Sequence, residues 1–361
     1  MENNRVQYID VWRFFAVALV IVSHLVEFSH PVYGEKIPGL IWRIHPIGQL
    51  GVYVFFCISG YVICRGMLHE TATYGNLSMR GFYIRRAFRI LPPFLLYLSF
   101  LALMAYQGSF EISPAQFAQS AAFLCNIESA SGCSWYLGHT WSLAFEEQFY
   151  LVFPLLFVRA SLARQHGRML LILFLLVASA VLAYFLSWQK LAYFLSIFSY
   201  MLWGCVCAIY QHRILPVLAR MPFALWLAVC ALVFGVNLVA LPPVFLELVF
   251  PLLAPPLICI AVFGTPIHHP FTRRIFGNAR LAYLGVMSYT VYLWQQVVTR
   301  DYGFASPLVA LALVLLVFGF AHLSFKYFET PFIRLGRKLS SRQAAGAAEL
   351  TGHPASAARP M

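Results

Sequence analysis

The sequence predicts an all-α polytopic membrane protein with about ten transmembrane helices. Of its 361 residues, 61% are hydrophobic and only 11% are charged, whereas soluble domains carry about 25% charged residues. The mean hydropathy is +0.75. Ten apolar stretches approach the roughly 20 residues that cross a bilayer. They lie at about residues 9–28, 47–64, 90–106, 141–158, 169–188, 191–210, 223–240, 244–264, 281–298 and 307–325.

Lysine and arginine predict the orientation of these spans. Of the 25 such residues, 20 lie in the two tails and the even-numbered loops, four lie in the odd-numbered loops, and Arg13 lies inside the first span. Because cytoplasmic loops are enriched in positive residues, both termini are predicted to be cytoplasmic. The net charge of +12 is then mostly a consequence of topology and of contact with anionic membrane lipid. It does not indicate binding of nucleic acid.

Most of the chain is predicted to form one membrane domain, at residues 1–338. From residue 339 the composition shifts to Ala, Ser, Gly and Pro, which predicts a disordered cytoplasmic tail at residues 339–361. The loop at about residues 107–140 contains no Lys or Arg and is predicted to be non-cytoplasmic. A loop of that length is often functional and has room for a short helix or a lid.

The eight cysteines show no paired CxxC pattern, so no metal site is predicted. Six lie in apolar stretches and are interpreted as small buried hydrophobic residues. Cys125 and Cys133 lie eight positions apart in the predicted non-cytoplasmic loop. In an oxidising compartment this pair is a disulfide candidate, although the sequence alone leaves two free thiols equally open.

Arg13 and His24 stand out in the first span. They are eleven positions apart, so in a helix they share one face and are separated by about 16 Å along the axis. Ionisable residues at membrane depth are costly and are usually functional, and a neutral imidazole can accept a proton from a hydroxyl. A histidine bonded inside the bundle and an interfacial arginine paired with Asp10 remain the alternatives. Glu27, one turn further, either orients the imidazole or lies at the interface.

Three arginines precede the third span. Arg86 and Arg89 are three positions apart and share a helix face. With Arg85 they form a cytoplasmic cluster suited to phosphate oxygens, which arginine binds with two parallel hydrogen bonds. The alternative is ordinary flanking charge on the cytoplasmic side.

Residues 139–150 form the most polar stretch of the chain, His-Thr-Trp-Ser-Leu-Ala-Phe-Glu-Glu-Gln-Phe-Tyr. Glu146 and Glu147 point about 100° apart around a helix, so at most one faces a given cavity. An unpaired carboxylate at this depth is costly, and we expect one of them to meet His24, an arginine or a substrate hydroxyl. In the ninth span, Tyr289 belongs to an aromatic and polar face that suits either an interfacial belt or the wall of a sugar site.

Five segments, taken in order, resemble the acyltransferase-3 family of integral-membrane O-acyltransferases. They cover an arginine and histidine separated by ten residues, a Phe-Phe-Cys-Ile-Ser-Gly segment, a paired-arginine motif, the Trp-Ser-Leu and Glu-Glu-Gln-Phe-Tyr signature, and Phe-Glu-Thr-Pro-Phe. These segments are residues 8–24, 54–61, 84–92, 139–150 and 328–332. The ordered set is specific, although each motif is weak alone.

The resemblance implies a multi-pass enzyme of the bacterial inner membrane. It implies transfer of an acyl group, most commonly acetyl, from cytoplasmic acetyl-CoA to a hydroxyl of a glycan or glycolipid on the non-cytoplasmic side. Acetyl-CoA is then a co-substrate, and no permanently bound cofactor is expected. The resemblance implies His24 as the catalytic residue, Arg13 as its partner motif, and Arg86 and Arg89 as donor contacts. To the catalytic group we add Glu146, which would stabilise the imidazolium or hold the acceptor, and to the donor contacts we add Arg85 from the same cluster. The residues that we assign to the acceptor are Glu147, Trp141, Ser142 and Tyr289.

Two departures from the family pattern matter. Many relatives have histidine where this chain has Gln295, so any role of that ring is expected to be absent. Some relatives carry a fused extracytoplasmic hydrolase-like domain that this sequence lacks, so the chemistry is expected in the membrane unit. The alternative function is a transporter or flippase of a lipid-linked glycan, which also accounts for many spans and buried charge. The ordered motifs favour the enzyme, and the oligomeric state is not indicated.

Overall fold

The computed structural model describes residues 2–33, 46–127, 132–158, 162–186, 188–238, 242, 244–299 and 307–351. Across these ranges the regular structure is entirely helical. The α-helices are α1 Glu2–Tyr33, α2 Ile47–Tyr74, α3 Met79–Tyr106, α4 Pro114–Ala121, α5 Trp135–Gly138, α6 Thr140–Val158, α7 Leu162–Phe185, α8 Gln189–Ile209, α9 Gln211–Leu218, α10 Phe223–Gly235, α11 Phe250–Phe263, α12 Pro270–Phe276, α13 Ala279–Val286, α14 Ser288–Val298, α15 Pro307–Leu323 and α16 Thr330–Thr351.

The prediction of an all-α polytopic membrane protein is confirmed. In the described ranges five helical segments are long and apolar enough to cross a membrane. A bent pair, α9 with α10, makes a sixth if it counts as one span, with an angle of 105° between its parts. The number ten and the cytoplasmic termini stay predictions. The five segments are Gln7–Glu27, Ile47–Tyr74, Met79–Tyr106, Leu191–Ile209 and Leu308–Ser341.

Two predicted spans are not regular α-helices throughout. The predicted span at residues 244–264 is divided between a π-helix at Phe245–Val249 and α11, and the predicted span at residues 281–298 is divided between α13 and α14. By contrast, α3 begins well before the predicted span, because the Ser78 hydroxyl caps it by accepting from the Gly81 amide. The paired-arginine motif therefore lies inside α3.

Small residues bring the helices of the site into close contact. A Cβ atom at Gly60 of α2 would overlap the Met201 carbonyl of α8, and one at Gly204 of α8 would overlap the Cys57 carbonyl of α2. A Cβ atom at Gly285 of α13 would likewise overlap the Asp10 carbonyl of α1. These contacts bring the backbones of α2 and α8 close together at the Ser-Gly pair of the second span, and those of α1 and α13 close together near Asp10.

The long predicted loop folds inward onto the bundle. Cys125 and Cys133 are joined by a disulfide. The Phe123 ring stacks on Phe94 of α3 with centroids 4.8 Å apart, and the Asn126 and Gln148 amides exchange two hydrogen bonds of 2.8 and 3.0 Å. The loop thus contacts α3 and α6 well inside their ends.

Part of the tail predicted at residues 339–361 is helical. Helix α16 runs through Thr351 and so includes the first residues of that segment, among them the buried Ser340. Residues 352–361 lie outside the described residues. Disorder of the tail therefore stays a prediction.

Candidate active site

The side chain of His24 is held by a glutamine from α14. Its Nδ1 lies 2.9 Å from Oε1 of Gln295. That amide is oriented by its neighbours, because its Nε2 donates to Gln296 Oε1 at 2.9 Å while Thr299 Oγ1 donates to the same Gln295 Oε1 at 3.2 Å. With an acceptor oxygen facing it, Nδ1 carries the hydrogen, and Nε2 becomes the nitrogen that can accept a proton.

A tryptophan packs against the same imidazole. The rings of His24 and Trp135 meet edge to face with centroids 5.1 Å apart. Trp135 is itself fixed by two reciprocal hydrogen bonds with Gln296, from its indole Nε1 to the Gln296 carbonyl and from the Gln296 amide to the Trp135 carbonyl. Two adjacent residues of α14 therefore hold this pair: Gln295 bonds His24, and Gln296 bonds Trp135.

One helical turn before Gln295, Tyr292 closes a neighbouring group of contacts. The Tyr292 hydroxyl donates to the His139 carbonyl at 3.0 Å and bonds Ser142 Oγ at 2.7 Å. Ser142 also donates to the His139 carbonyl, at 3.1 Å. This cluster joins α14 to the start of α6.

Tyr292 and Ser142 also line a large cavity of about 1470 Å³. From these two residues the cavity runs between α1, α2, α3 and α6 to the C-terminal end of α2 and to α16. Its lining includes five arginines and three carboxylates, so it is net positive. These residues are Arg13, Arg65, Arg86, Arg89, Arg337, Asp10, Glu146 and Glu147.

The deeper part of the cavity contains a network of charged and hydroxyl groups around Glu146. This carboxylate accepts from Ser59 Oγ at 3.1 Å and from the Tyr150 hydroxyl at 2.6 Å. It lies within the electrostatic reach of Arg13 and Arg86. The Arg86 guanidinium also lies over the Tyr150 ring, 5.1 Å from its centroid.

The remaining charged groups divide between the cavity and its surroundings. Arg13 pairs with Asp10 at 3.8 Å, and Arg89 lies within the electrostatic reach of both. Arg85 instead pairs with Glu70 of α2, outside the cavity lining.

A buried carboxylate, Glu329, lies beyond Arg89 in the Phe-Glu-Thr-Pro-Phe segment. It accepts from the Thr290 and Ser324 hydroxyls, the latter at 3.1 Å, and it lies within the electrostatic reach of Arg89. Glu329 therefore supports Arg89 from the side of α14 and the end of α15.

The family model Acyl_transf_3, described as an acyltransferase domain, matches residues 6–327. The chain belongs to the acyltransferase-3 family. This finding confirms the resemblance inferred from the five ordered motifs. No solved structure gives a significant match.

Curated relatives of this acyltransferase-3 chain include peptidoglycan O-acetyltransferase OatA of Listeria monocytogenes, 26% identical over 384 aligned positions. That alignment covers 93% of this chain and 57% of the Listeria protein. YrhL of Bacillus subtilis, provisionally named a peptidoglycan O-acetyltransferase, is 30% identical over 190 positions, covering 48% of this chain and 27% of that protein. The chain thus spans little more than half the length of the one and about a quarter of the other.

Most of the expected site residues lie in the cavity lining or directly beside it. Arg13, Arg86, Arg89 and Glu146 line the cavity, and so do the acceptor candidates Glu147, Ser142 and Tyr289. His24 lies next to it, bonded to Gln295. Two expected residues lie apart from the cavity lining. They are Arg85, paired with Glu70, and Trp141, whose ring packs edge to face on Phe56 and Phe145.

Sequence reasoning missed the part that Gln295 plays. The departure from the acyltransferase-3 pattern at this position predicts that no ring acts there, yet the amide that replaces the ring bonds His24 directly. The available signal was its spacing: Gln295 follows Tyr292 by three positions, so both lie on the polar face of the ninth span. Arg65 and Arg337 were likewise counted only as topology signals, although both line the cavity.

Proposed function

We propose that this acyltransferase-3 protein is a membrane O-acyltransferase that transfers acetyl from acetyl-CoA to a hydroxyl of a cell-envelope glycan. One observation carries the proposal. A net positive cavity ends at Tyr292, one helical turn from the glutamine that holds His24 in the tautomer of a proton acceptor. The positive cavity suits a donor rich in phosphate, and the imidazole of His24 suits a hydroxyl that must lose a proton.

The cavity suits the donor in charge and in size. Coenzyme A carries its phosphates at one end and its thioester at the other. Arg86 and Arg89 are proposed to bind phosphate oxygens, because arginine pairs with them through two hydrogen bonds. Arg65 and Arg337 supply further positive charge at the predicted cytoplasmic mouth. The volume of about 1470 Å³ exceeds the roughly 300–1,000 Å³ of ordinary ligand pockets, as a nucleotide with a long arm requires.

The reaction follows from the orientation of His24. Its Nε2 takes the proton from the acceptor hydroxyl, and the hydroxyl oxygen attacks the thioester carbonyl carbon. A carbon–oxygen bond forms, the carbon–sulfur bond breaks, and the imidazolium returns the proton to the departing thiolate. In a second route Nε2 attacks the thioester carbonyl carbon and the thiolate leaves, which gives an acyl-imidazole. The acceptor hydroxyl then attacks the acyl carbon, the bond to Nε2 breaks, and the hydroxyl proton ends on the thiolate. In both routes Gln295 Oε1 accepts from Nδ1–H and stabilises the positive charge on the ring.

Arg13 and Glu146 are proposed to organise the donor path. Glu146 contacts Ser59 and Tyr150 and lies near Arg13 and Arg86. A carboxylate in that position holds two arginines toward the cavity and limits their mutual repulsion. The catalytic role given to Glu146 by the sequence becomes, in this proposal, a positioning role.

The acceptor is proposed to enter from the non-cytoplasmic side of the bacterial inner membrane. The Listeria relative is a peptidoglycan O-acetyltransferase and the Bacillus relative is provisionally named one, and this makes a peptidoglycan hydroxyl the first acceptor to test. The competing transporter function predicts movement of a glycan without consumption of acetyl-CoA.

The proposal is tested in membranes that contain the protein, given acetyl-CoA labelled in its acetyl group. Wild type is expected to release free thiol and to label glycan, and His24→Ala to lose both at least a hundredfold. His322→Ala is the matched control, because that ring is exposed near the end of α15 and bonds Tyr283. Undiminished thiol release by His24→Ala would remove His24 from the chemistry. Labelled glycan without thiol release would remove CoA as the donor.

A further inference from the structure

His139 is a buried imidazole whose ring makes no hydrogen bond. Its side chain is 4% exposed, and over the described residues neither Nδ1 nor Nε2 has a hydrogen-bonding partner. The ring is instead packed edge to face against Tyr97 and Tyr292, with centroids 5.5 and 5.4 Å away. A buried polar group without a partner costs about 1–3 kcal/mol. A phenyl ring would fill the same place without that cost, so fold stability does not explain this histidine.

Two independent relationships place His139 beside His24. Trp135 is the first residue of α5 and His139, four positions later, directly follows its last residue, and the ring of Trp135 packs on His24. Tyr292 and Gln295 lie three positions apart on α14, and they contact His139 and His24 respectively. Residues at these spacings share a helix face. The two imidazoles therefore share neighbours on both sides and lie within electrostatic reach of each other.

His139 is uncharged in this place. Burial, with a smaller contribution from nearby His24, lowers the pKa of His139 to about 3. A neutral imidazole offers one N–H donor and one acceptor nitrogen. Neutral imidazoles polarise carbonyl groups in other enzymes.

We propose that His139 is a second catalytic imidazole, whose N–H donates a hydrogen bond to the carbonyl oxygen of the acyl group during transfer. This inference rests on the acyl-transfer function proposed above. When the acceptor oxygen attacks, the carbonyl carbon becomes tetrahedral and its oxygen takes the negative charge. His139 stabilises that oxyanion without gaining or losing a proton, while His24 carries the proton from hydroxyl to thiolate. The oxyanion collapses as the carbon–sulfur bond breaks.

The decisive variant is His139→Phe, which keeps an aromatic ring and removes both nitrogens. The expected result is a melting temperature in detergent equal to or above that of wild type, with kcat lowered about 10²–10³-fold, as for the loss of one oxyanion donor. The KM for acetyl-CoA should stay within about twofold, because the donor is bound through its phosphates. His139→Asn and His139→Gln keep an N–H donor and should recover part of kcat.

His269→Phe is the matched control. That histidine also has a buried Nδ1 without a partner, and its ring stacks on Phe223 with centroids 4.0 Å apart. It lies in a loop predicted to be cytoplasmic, on the side opposite to the one predicted for the loop that contains His139. The same substitution there is expected to leave kcat unchanged.

Three results would overturn the proposal for His139. They are full kcat in His139→Phe, unfolding of both His139→Phe and His139→Leu, and equal loss of kcat in the Phe, Asn and Gln variants. If wild type does not use acetyl-CoA, the proposed donor fails separately. His139 is then judged by the O-acetyl content of peptidoglycan from cells that depend on each variant, where His139→Phe should lower that content and His269→Phe should not.

Discussion

Oε1 of Gln295 and Nδ1 of His24 lie 2.9 Å apart and join α14 to α1 through two residues that are 271 positions apart in the chain. The bond gives the first helix a fixed rotation toward α14. It also selects which imidazole nitrogen carries a hydrogen, so a contact that looks structural decides the chemistry available at Nε2.

Replacing this glutamine should lower turnover more than donor binding. In Gln295→Leu the Nδ1–H of His24 loses its acceptor, and the other tautomer becomes equally accessible. A lost hydrogen bond of about 1.5 kcal/mol corresponds to roughly tenfold in kcat, with the KM for acetyl-CoA unchanged. Gln295→His retains an acceptor nitrogen and should recover part of the activity. Steady-state kinetics in detergent would measure this, with the exposed Gln49→Leu as control, and an unchanged kcat in Gln295→Leu would contradict the assigned tautomer.

Donor affinity should depend on two of the three clustered arginines. Arg86→Ala and Arg89→Ala each remove a charge from the cavity, and a charge-assisted hydrogen bond of about 1.5–3 kcal/mol corresponds to a KM for acetyl-CoA raised about 10–100-fold. Arg85→Ala should raise it much less, because Arg85 pairs with Glu70 outside the lining. Arg80→Ala, exposed at the start of α3, serves as control. Equal effects at Arg85 and Arg86 would restore the three-arginine site expected from the sequence.

The mouth of the cavity should recognise the nucleotide part of the donor. Arg337→Ala is expected to raise the KM for acetyl-CoA several-fold and to leave the KM for acetyl-pantetheine unchanged, because acetyl-pantetheine lacks phosphates. The difference should shrink as salt concentration rises, since mouth charges are screened by solvent. Arg334→Ala, a neighbour on α16 outside the lining, is the control. Equal effects on the two thioesters would remove Arg337 from phosphate binding.

The glycines between α2 and α8 should tolerate no added methyl group. Gly60→Ala and Gly204→Ala each force a Cβ atom onto a backbone carbonyl, and overpacking of this kind costs about 1–3 kcal/mol. Both variants should melt at lower temperature in detergent. Gly319→Ala on α15 meets no atom within 4 Å and should be neutral or stabilising. Wild-type melting of Gly60→Ala would contradict the close backbone contact.

Local sequence rules predicted the parts of the site that depend on one helix. The eleven-residue spacing of Arg13 and His24 determined their shared face because α1 is a regular helix through both positions.

Contacts between distant helices escaped prediction. Nothing in the spacing of Arg85, Arg86 and Arg89 indicates that the first of them pairs with Glu70 of another helix. Gln295 presented the same difficulty, because an amide that bonds His24 cannot be distinguished in sequence from one that packs in the bundle. The irregular helices also hid the number of spans, because hydropathy registers apolar length and neither the π-helix at residues 245–249 nor the turn at residue 287.

The bond between Cys125 and Cys133 has a use beyond holding its loop. A disulfide persists in a compartment that oxidises thiols. Its formation would therefore show that this segment was delivered to the non-cytoplasmic side during biogenesis. Because successive loops lie on alternate sides of the membrane, the side of this one loop determines the side of every other loop. A gel shift after thiol alkylation, compared with and without prior reduction, would show whether the two cysteines are bonded in protein taken from its native membrane.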